Sequence, residues 1–483
     1  MNPMGLNGID YAVVATYLIA VTAFGSYFAR FQRTTGDYFL TGRTVPWWAI
    51  CFTIVATETS TLTFIGVPAA AYAGNMAFLQ LAAGYVVGRV LVSVLFLPAY
   101  FRGELVTSYQ LLQRRFGTAV KTVAAGLFLV TRSLADGIRL FATALVISIV
   151  TGVPVSLTVV VLGAAMIWYT MRGGVAAVIW TDVVQMFVYV AGALLVLAAV
   201  WQRLPGGWSD FIQAGAAAGR FTVLDWSLDP TRVYTVWAGM IGGIALTLAT
   251  HGTDQFLVQR LLSARSPRDA ARGLILSGVL VFAQFVLFLT IGVMLFLYDQ
   301  QTHFAAGILR NDEVLPRFIV STLPHGAIGF IVAAIVAAAL SPSLNAMAAT
   351  TVNDFYRPYI RPDADEAALM RLSRRATVAW GVVQLTVALA AQSMRQSVLD
   401  AGLSVLSLTT GPVLGAFLVG VLTRQVASGA MLIGMIAGAA TVCLVWWTGA
   451  VAWTWYTFIG AAVTSAVAVL LSRLHPTFRQ VPA

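Results

Sequence analysis

Runs of about 20 mainly apolar residues recur along the whole chain, and that is the length at which a helix crosses the hydrocarbon core of a bilayer. They lie at about residues 10–30, 46–70, 76–99, 122–150, 154–171, 178–201, 236–258, 273–298, 318–348, 376–392, 397–421, 427–447 and 452–472, thirteen in all. No soluble core hides that much apolar surface: 59% of the 483 residues are hydrophobic and 10% are charged, where a soluble domain is about one-quarter charged. A transmembrane β-barrel alternates apolar and polar residues, and stretches such as Ile331 to Leu340 do not. The expected fold is an all-α integral membrane bundle of about 13 helices in a single membrane domain.

The arginines set the orientation, because positive charge is retained in cytoplasmic loops. With the N-terminus outside, the odd-numbered loops and the C-terminus carry about 20 Lys and Arg and the even-numbered loops about 6. This places the chain in a bacterial-type inner membrane, N-terminus out and C-terminus in the cytoplasm. The +10 net charge then reflects topology and anionic lipid, not nucleic acid. The expected partners are the bilayer and a small solute, with no obligate protein partner evident. Asp10 at the outer end of the first helix, with no small-residue cleavage site, makes that helix a retained one. Cys51 and Cys443 are expected to stay unpaired, and His251, His303, His325 and His475 are too scattered for a structural metal site, so no cofactor is expected. The longest connection, Gln202 to Tyr234, is expected outside with one short surface helix. Basic loops near Arg260 to Arg272 and Arg357 to Arg375 are expected to meet lipid headgroups.

Polar groups are costly inside a membrane and mark function by default. The second helix is richest in them: Ala56, Thr57, Glu58, Thr59, Ser60, Thr61, Leu62 and Thr63, then Gly66 and Pro68. Hydroxyls, β-branched residues, glycine and proline weaken a helix, and an interrupted helix frees carbonyls for a cation and N–H groups for an anion. The competing reading is a continuous helix whose hydroxyls bond back to its own carbonyls, with Glu58 paired to an arginine. The seventh helix carries Thr250, His251, Gly252, Thr253, Asp254 and Gln255, and Asp254 either faces the same cavity as Glu58 or is salt-bridged at the helix end. Asp182 near the inner end of the sixth helix either serves an ion or neutralises Arg172. Arg132, Asp136 and Arg139 share one helix face and suit a structural network; Arg89 is available to partner Glu58 or another acid. The candidate substrate-binding set is Glu58, Thr59, Ser60, Thr63, Gln80, Asp254 and Gln255.

The stretch GDYFLTGRTVPWW, from Gly36 to Trp48, resembles the first cytoplasmic loop of the sodium:solute symporter family, and TETSTLTFIGVP, WTDVVQ, DQFLVQRLLSARS, SLNAMAATTVNDFY and GPVLGAFLVGVLTR resemble further segments in the family's order, from about residue 36 to 424. The resemblance implies the bacterial leucine transporter fold: two inverted five-helix repeats, at about residues 46–201 and 236–421, with the first, twelfth and thirteenth helices peripheral. It places the solute at mid-membrane between the broken second and seventh helices, moved by alternating access. It also implies a sodium site built from the carbonyls of Ala56, Thr59 and Ile335 and from two hydroxyls on the ninth helix, at positions where this chain has Ala338 and Ala339.

Losing two oxygens from a low-dielectric cation site leaves desolvation poorly offset. Ser341, Glu58, the Thr59 hydroxyl or the Asp182 region are candidate replacements, or a proton carried by Glu58 takes the place of sodium, so the coupling ion is Na+ or H+. Thr63, Ala82 and Tyr85 stand where the family's sugar carriers have polar ligands, which does not support a galactose-like sugar. Glu58 and Asp254 suggest an amine-bearing or hydroxyl-rich solute, and a carboxylate would need a cation such as Arg89. A non-transporting sensor on the same fold is the alternative, and the absence of an appended signalling domain speaks against it. No nucleophile–base pair or metal cluster suggests an enzyme.

Overall fold

In lipid every backbone polar group must be satisfied within the protein, and helices do this segment by segment. The computed structural model describes residues 6–29, 41–102, 105–204, 206–339, 343–394 and 397–474, and these form helices and turns with no β-strand among the described residues. The principal helices in chain order are α1 (Gly8–Ala29), α2 (Trp47–Glu58), α3 (Thr61–Ala73), α4 (Phe78–Leu95), α5 (Thr118–Thr151), α6 (Val155–Trp201), α7 (Gly207–Ala217) and α8 (Val236–Gly252). They continue with α9 (Gln255–Leu262), α10 (Pro267–Thr302), α11 (Ala327–Ala339), α12 (Leu344–Thr350), α13 (Glu366–Ala390), α14 (Val398–Leu422), α15 (Ser428–Thr448) and α16 (Tyr456–Leu474).

Among the described residues nine helices are long and apolar enough to span a bilayer, or up to ten if α2 and α3 count as one bent span. The thirteen expected spans are therefore not all matched by length: Val155–Trp168, Val236–Gly252 and Ala327–Val336 are shorter apolar helices. The fifth and sixth expected spans fall within the one helix α6, Val155–Trp201, in which Val155–Trp168 and Val175–Trp201 are separate apolar segments. Gly173 and Gly174 lie between those two segments without a proline, and a glycine costs a helix only about 1 kcal/mol, so the helical backbone runs through them. The connection between α6 and α8 holds the expected surface helix, α7. Cys51 is buried, Cys443 is exposed, and both are free.

Two features hold the interrupted helices in place. Just before α2 and just after α9, Val45 N–H donates to Ser263 O and Arg265 N–H to Val45 O, each at 3.1 Å, forming a single parallel bridge. The second is a close approach of α4 and α8, each carrying glycines four residues apart, the small-xxx-small pattern that lets membrane helices touch backbone to backbone. A Cβ on Gly84 would lie 2.7 Å from Gly239 O, and one on Gly243 would lie 2.5 Å from Leu81 O. At the other edge Asp10 of α1 accepts from Gly326 N–H at 2.6 Å, Gly329 N–H at 3.0 Å and His325 Nδ1 at 2.6 Å, tying α1 to the start of α11.

Gly84→Val and Gly243→Val are expected to lower the thermal stability of the detergent-purified protein by about 1–3 kcal/mol each, the usual cost of overpacking. Gly126→Ala, where an added Cβ meets nothing within 4 Å, is expected not to lower it.

Candidate functional site

The hydroxyl-rich segment does interrupt its helix. α2 and α3 meet at a bend of 60°, with Thr59 at φ −77°, ψ 67° and Ser60 at φ −84°, ψ 175°. Hydroxyls bond back to carbonyls on the α2 side: Thr57 Oγ1 donates to Thr53 O at 2.6 Å and Thr59 Oγ1 to Val55 O at 2.7 Å. Across the gap Ser60 N–H donates to Glu58 O at 2.8 Å, as does Thr63 Oγ1 at 2.7 Å. Ala56 O therefore loses its helical donor.

The second interruption, between α8 and α9, follows the same rule. Thr253 and Asp254 leave the helical region, and the carbonyls they free find side-chain donors: Tyr100 O–H on Gly252 O and Ser108 Oγ on Thr253 O. Asp254 starts α9 as its N-cap, accepting from Phe256 N–H at 2.9 Å.

Between the two breaks lies a cavity of about 110 Å³ whose polar wall includes Thr57, Glu58, Ser60, Thr63, Arg139 and His251. Phe78, Tyr85, Phe285 and Leu399 are among its apolar lining. The charges around it are paired. Glu58 holds the fully buried Arg89 and lies 3.3 Å from His251 Nε2, and His251 Nδ1 is 3.0 Å from Thr250 Oγ1. Arg132 donates to Asp254 through Nε at 2.9 Å and Nη2 at 2.5 Å. Asp182 accepts from Arg260 at 3.0 Å and from Thr53 Oγ1 at 2.7 Å. Asp136 accepts from Ser343 Oγ and is shared at longer range by Arg132 at 3.9 Å and Arg139 at 3.8 Å.

A family model described as the Sodium:solute symporter family matches residues 38–438. The chain belongs to the sodium:solute symporter family. It is 30% identical over 441 residues to the human sodium/iodide cotransporter, covering 89% of this chain and 68% of that protein. It is 29% identical over 453 residues to a sodium/sialic acid symporter of Aliivibrio fischeri, covering 92% and 88%. Among solved structures it is similar to a substrate-bound, outward-open Na+-coupled sialic acid symporter, with TM-score 0.90, 27% identity and coverage of 98% and 99%. The fold is also that of a nucleobase-cation-symport-1 family transporter in a closed conformation, with TM-score 0.60 at 13% identity over 91% and 95%. Membership makes the chain a multi-pass membrane transporter and not an enzyme.

Within this symporter, several residues expected to meet the solute are committed elsewhere. Gln80 donates to Tyr234 O at 3.2 Å and accepts from Asp225 N–H at 3.1 Å, fastening the connection between α7 and α8. Gln255 accepts from Ser108 N–H at 2.7 Å and donates to Val106 O at 3.0 Å. Thr59 donates to Val55 O and lies 2.5 Å from Gln284 Oε1, turned toward α10. Asp254 is bound by Arg132, so neither it nor Glu58 is an unpaired acid awaiting an amine. Asp182, for which an ion or Arg172 are the two expected partners, meets Arg260, and Arg260 is buried with it and does not reach lipid headgroups.

Ser60, Thr63 and Glu58 line the cavity. Ala338 and Ala339 are the last described residues of α11, and Ser341 lies outside the described residues. Sequence reasoning missed a pair of hydroxyls beside the Ile335 carbonyl: Thr61 Oγ1 is 2.7 Å from Thr143 Oγ1 and 3.4 Å from Ile335 O. The signal was present, since Thr143 lies four residues beyond Arg139 on a helix already marked as polar. No group of three or more His, Cys, Asp or Glu side chains that could hold a metal ion occurs among the described residues.

Breaking a buried pair by removing one partner costs about 3–5 kcal/mol, because the other charge is left bare. Asp254→Asn, which keeps the cap and removes the charge, and Arg132→Gln are each expected to lower thermal stability on that scale, and the double replacement by less than the sum. Equal, additive losses in thermal unfolding would show that the pair carries no coupling.

Proposed function

We propose that this chain is a sodium-coupled symporter that carries a small polar solute across a bacterial inner membrane by alternating access, with the N-terminus outside and the C-terminus in the cytoplasm. In this reading two inverted repeats, at about residues 46–201 and 236–421, supply the breaks on which the solute cavity opens. The observation that carries the sodium assignment is the cluster of oxygens beside the first break: Thr61 Oγ1, Thr143 Oγ1 and Ile335 O, spaced 2.7 and 3.4 Å apart. In this reading the cation displaces the Thr61–Thr143 hydroxyl contact and takes the lone pairs of both oxygens, while Thr143 Oγ1 keeps its donation to Arg139 O at 3.0 Å. Ala56 O, without its helical donor, is a further ligand in the same scheme. Thr61 and Thr143 take over from the hydroxyls that Ala338 and Ala339 do not provide. The names of the relatives support the same ion, each being described as coupled to sodium.

A proton carried by Glu58 is less well supported, because the carboxylate already has Arg89 as a fixed counter-charge inside the membrane. The two readings separate in the thermal stability of the purified protein at constant ionic strength, since a bound ion stabilises by mass action. Sodium chloride is expected to raise the melting temperature above that in potassium or choline chloride, and Thr61→Val and Thr143→Val to remove most of that rise. Stabilisation by lower pH that disappears in Glu58→Gln, with no sodium effect, would replace sodium with a proton.

A further inference from the structure

The buried charges around the two breaks are paired, but those where α10 begins are not. Arg268 and Arg272 lie one turn apart on one face of α10, both exposed, and neither makes a hydrogen bond or ion pair among the described residues. Like charges four residues apart on a helix repel each other. Their neighbour Arg265 is committed, donating through Nε to Thr44 O at 2.8 Å. Asp269 is the one acid between Arg265 and Arg272.

Going beyond the symport reading, we propose that the start of α10 holds an anionic phospholipid, with its phosphate on Arg272 and Arg268 and one acyl chain in the groove between α10 and Trp47 of α2. That groove has a volume of about 570 Å³ and is lined by Trp47, Ala271, Arg272, Ile275, Leu276 and Val279. It follows α10 from Arg272 to Val279, about 10 Å at 1.5 Å per residue. Beside it the two helices touch directly: a Cβ on Gly273 would lie 2.7 Å from Trp47 O. The groove is therefore held open by a fixed helix contact.

Its depth in the bilayer follows from the sequence of α10. After Arg272 the next charged residue is Asp299, and the helix between them covers about 39 Å, more than the roughly 30 Å of hydrocarbon. Arg272 thus stands at headgroup level, and Ile275, Leu276 and Val279 lie on the hydrocarbon side of it. Trp47 and Trp48, each 38% exposed, belong at the same level, where indole rings are enriched. An occupant with anionic oxygens at one end and hydrocarbon at the other is a phospholipid. Guanidiniums match phosphate oxygens in paired bonds. Two uncompensated cations favour a headgroup with net negative charge over one whose phosphate is balanced by its own ammonium.

The test is thermal unfolding and native mass spectrometry of the full-length protein in a neutral detergent. The probes are phosphatidylglycerol, phosphatidylethanolamine and phosphatidylcholine with the same acyl chains, and glycerol 3-phosphate as a headgroup without a chain. Phosphatidylglycerol is expected to remain bound and to raise the melting temperature most, and glycerol 3-phosphate to do neither. Replacing both arginines, Arg268→Gln with Arg272→Gln, is expected to raise the half-stabilising concentration of phosphatidylglycerol roughly 10- to 30-fold, the worth of two basic residues at a membrane surface. Leu276→Trp, which fills the groove and leaves the charge unchanged, is expected to weaken the response as well. Arg371→Gln with Arg374→Gln, which removes two exposed arginines from α13, is expected to leave it nearly intact. An unchanged melting temperature without lipid shows that each variant is folded. Equal effects of the three lipids, an equal loss in the α13 variant, an undiminished response in Leu276→Trp, or stabilisation by glycerol 3-phosphate alone would each overturn the inference. None of these outcomes bears on the sodium reading, which rests on other residues.

Discussion

A helix that stops inside a membrane leaves carbonyl and N–H groups that no water can satisfy, and the architecture around the cavity follows from where those groups find partners. At the first break Thr63 supplies a donor to Glu58 O. At the second, Tyr100 and Ser108 serve Gly252 and Thr253, and Asp254 caps the helix that resumes. Hydroxyls and one carboxylate thus replace the missing helical bonds at two places on facing helices. Ala56 O is left over after this accounting, and the proposed sodium site joins it to the Thr61 and Thr143 hydroxyls, which bond to each other, and to Ile335 O.

The same constraint governs charge. Bringing Asp254 into the membrane interior as a cap requires a cation, and Arg132 of α5 provides it from across the cavity. Glu58 with Arg89, and Asp182 with Arg260, repeat the arrangement. Four guanidiniums and four carboxylates therefore stand around the two breaks, and their pairing links α2, α4, α5, α6 and α9 through contacts that salt screens poorly because they are buried. Such a set is a poor place to look for a free acid. Its most loosely joined members are Arg139 and Asp136, 3.8 Å apart, and the buried Arg89 keeps two nitrogens without a hydrogen-bond partner among the described residues.

Periodicity and charge told the class of protein, the helical fold and the existence of the first break, because each depends on local composition: a run of Thr and Ser with Gly66 and Pro68 favours an interrupted helix over a continuous one. The partners of the polar side chains were not legible in the same way. Gln80 and Gln255 were reasonable solute ligands by position, yet both bind loop backbone more than 140 residues away in sequence. For Asp182 the sequence offers an ion or the nearby Arg172, while the fold brings Arg260 to it from α9. The Thr61–Thr143 contact joins two helices 82 residues apart, which hydropathy does not encode. Local signals reveal that a helix is broken, and only tertiary packing reveals which atoms the break releases.

The most direct measurement is a high-resolution cryo-EM map of the protein in sodium. The account expects the chain to be unwound at Thr59–Ser60 and a compact density peak among Thr61 Oγ1, Thr143 Oγ1, Ile335 O and Ala56 O. A continuous helix through Glu58–Thr61, or an ion bound at Glu58 or Asp182 with that oxygen cluster empty, would contradict it.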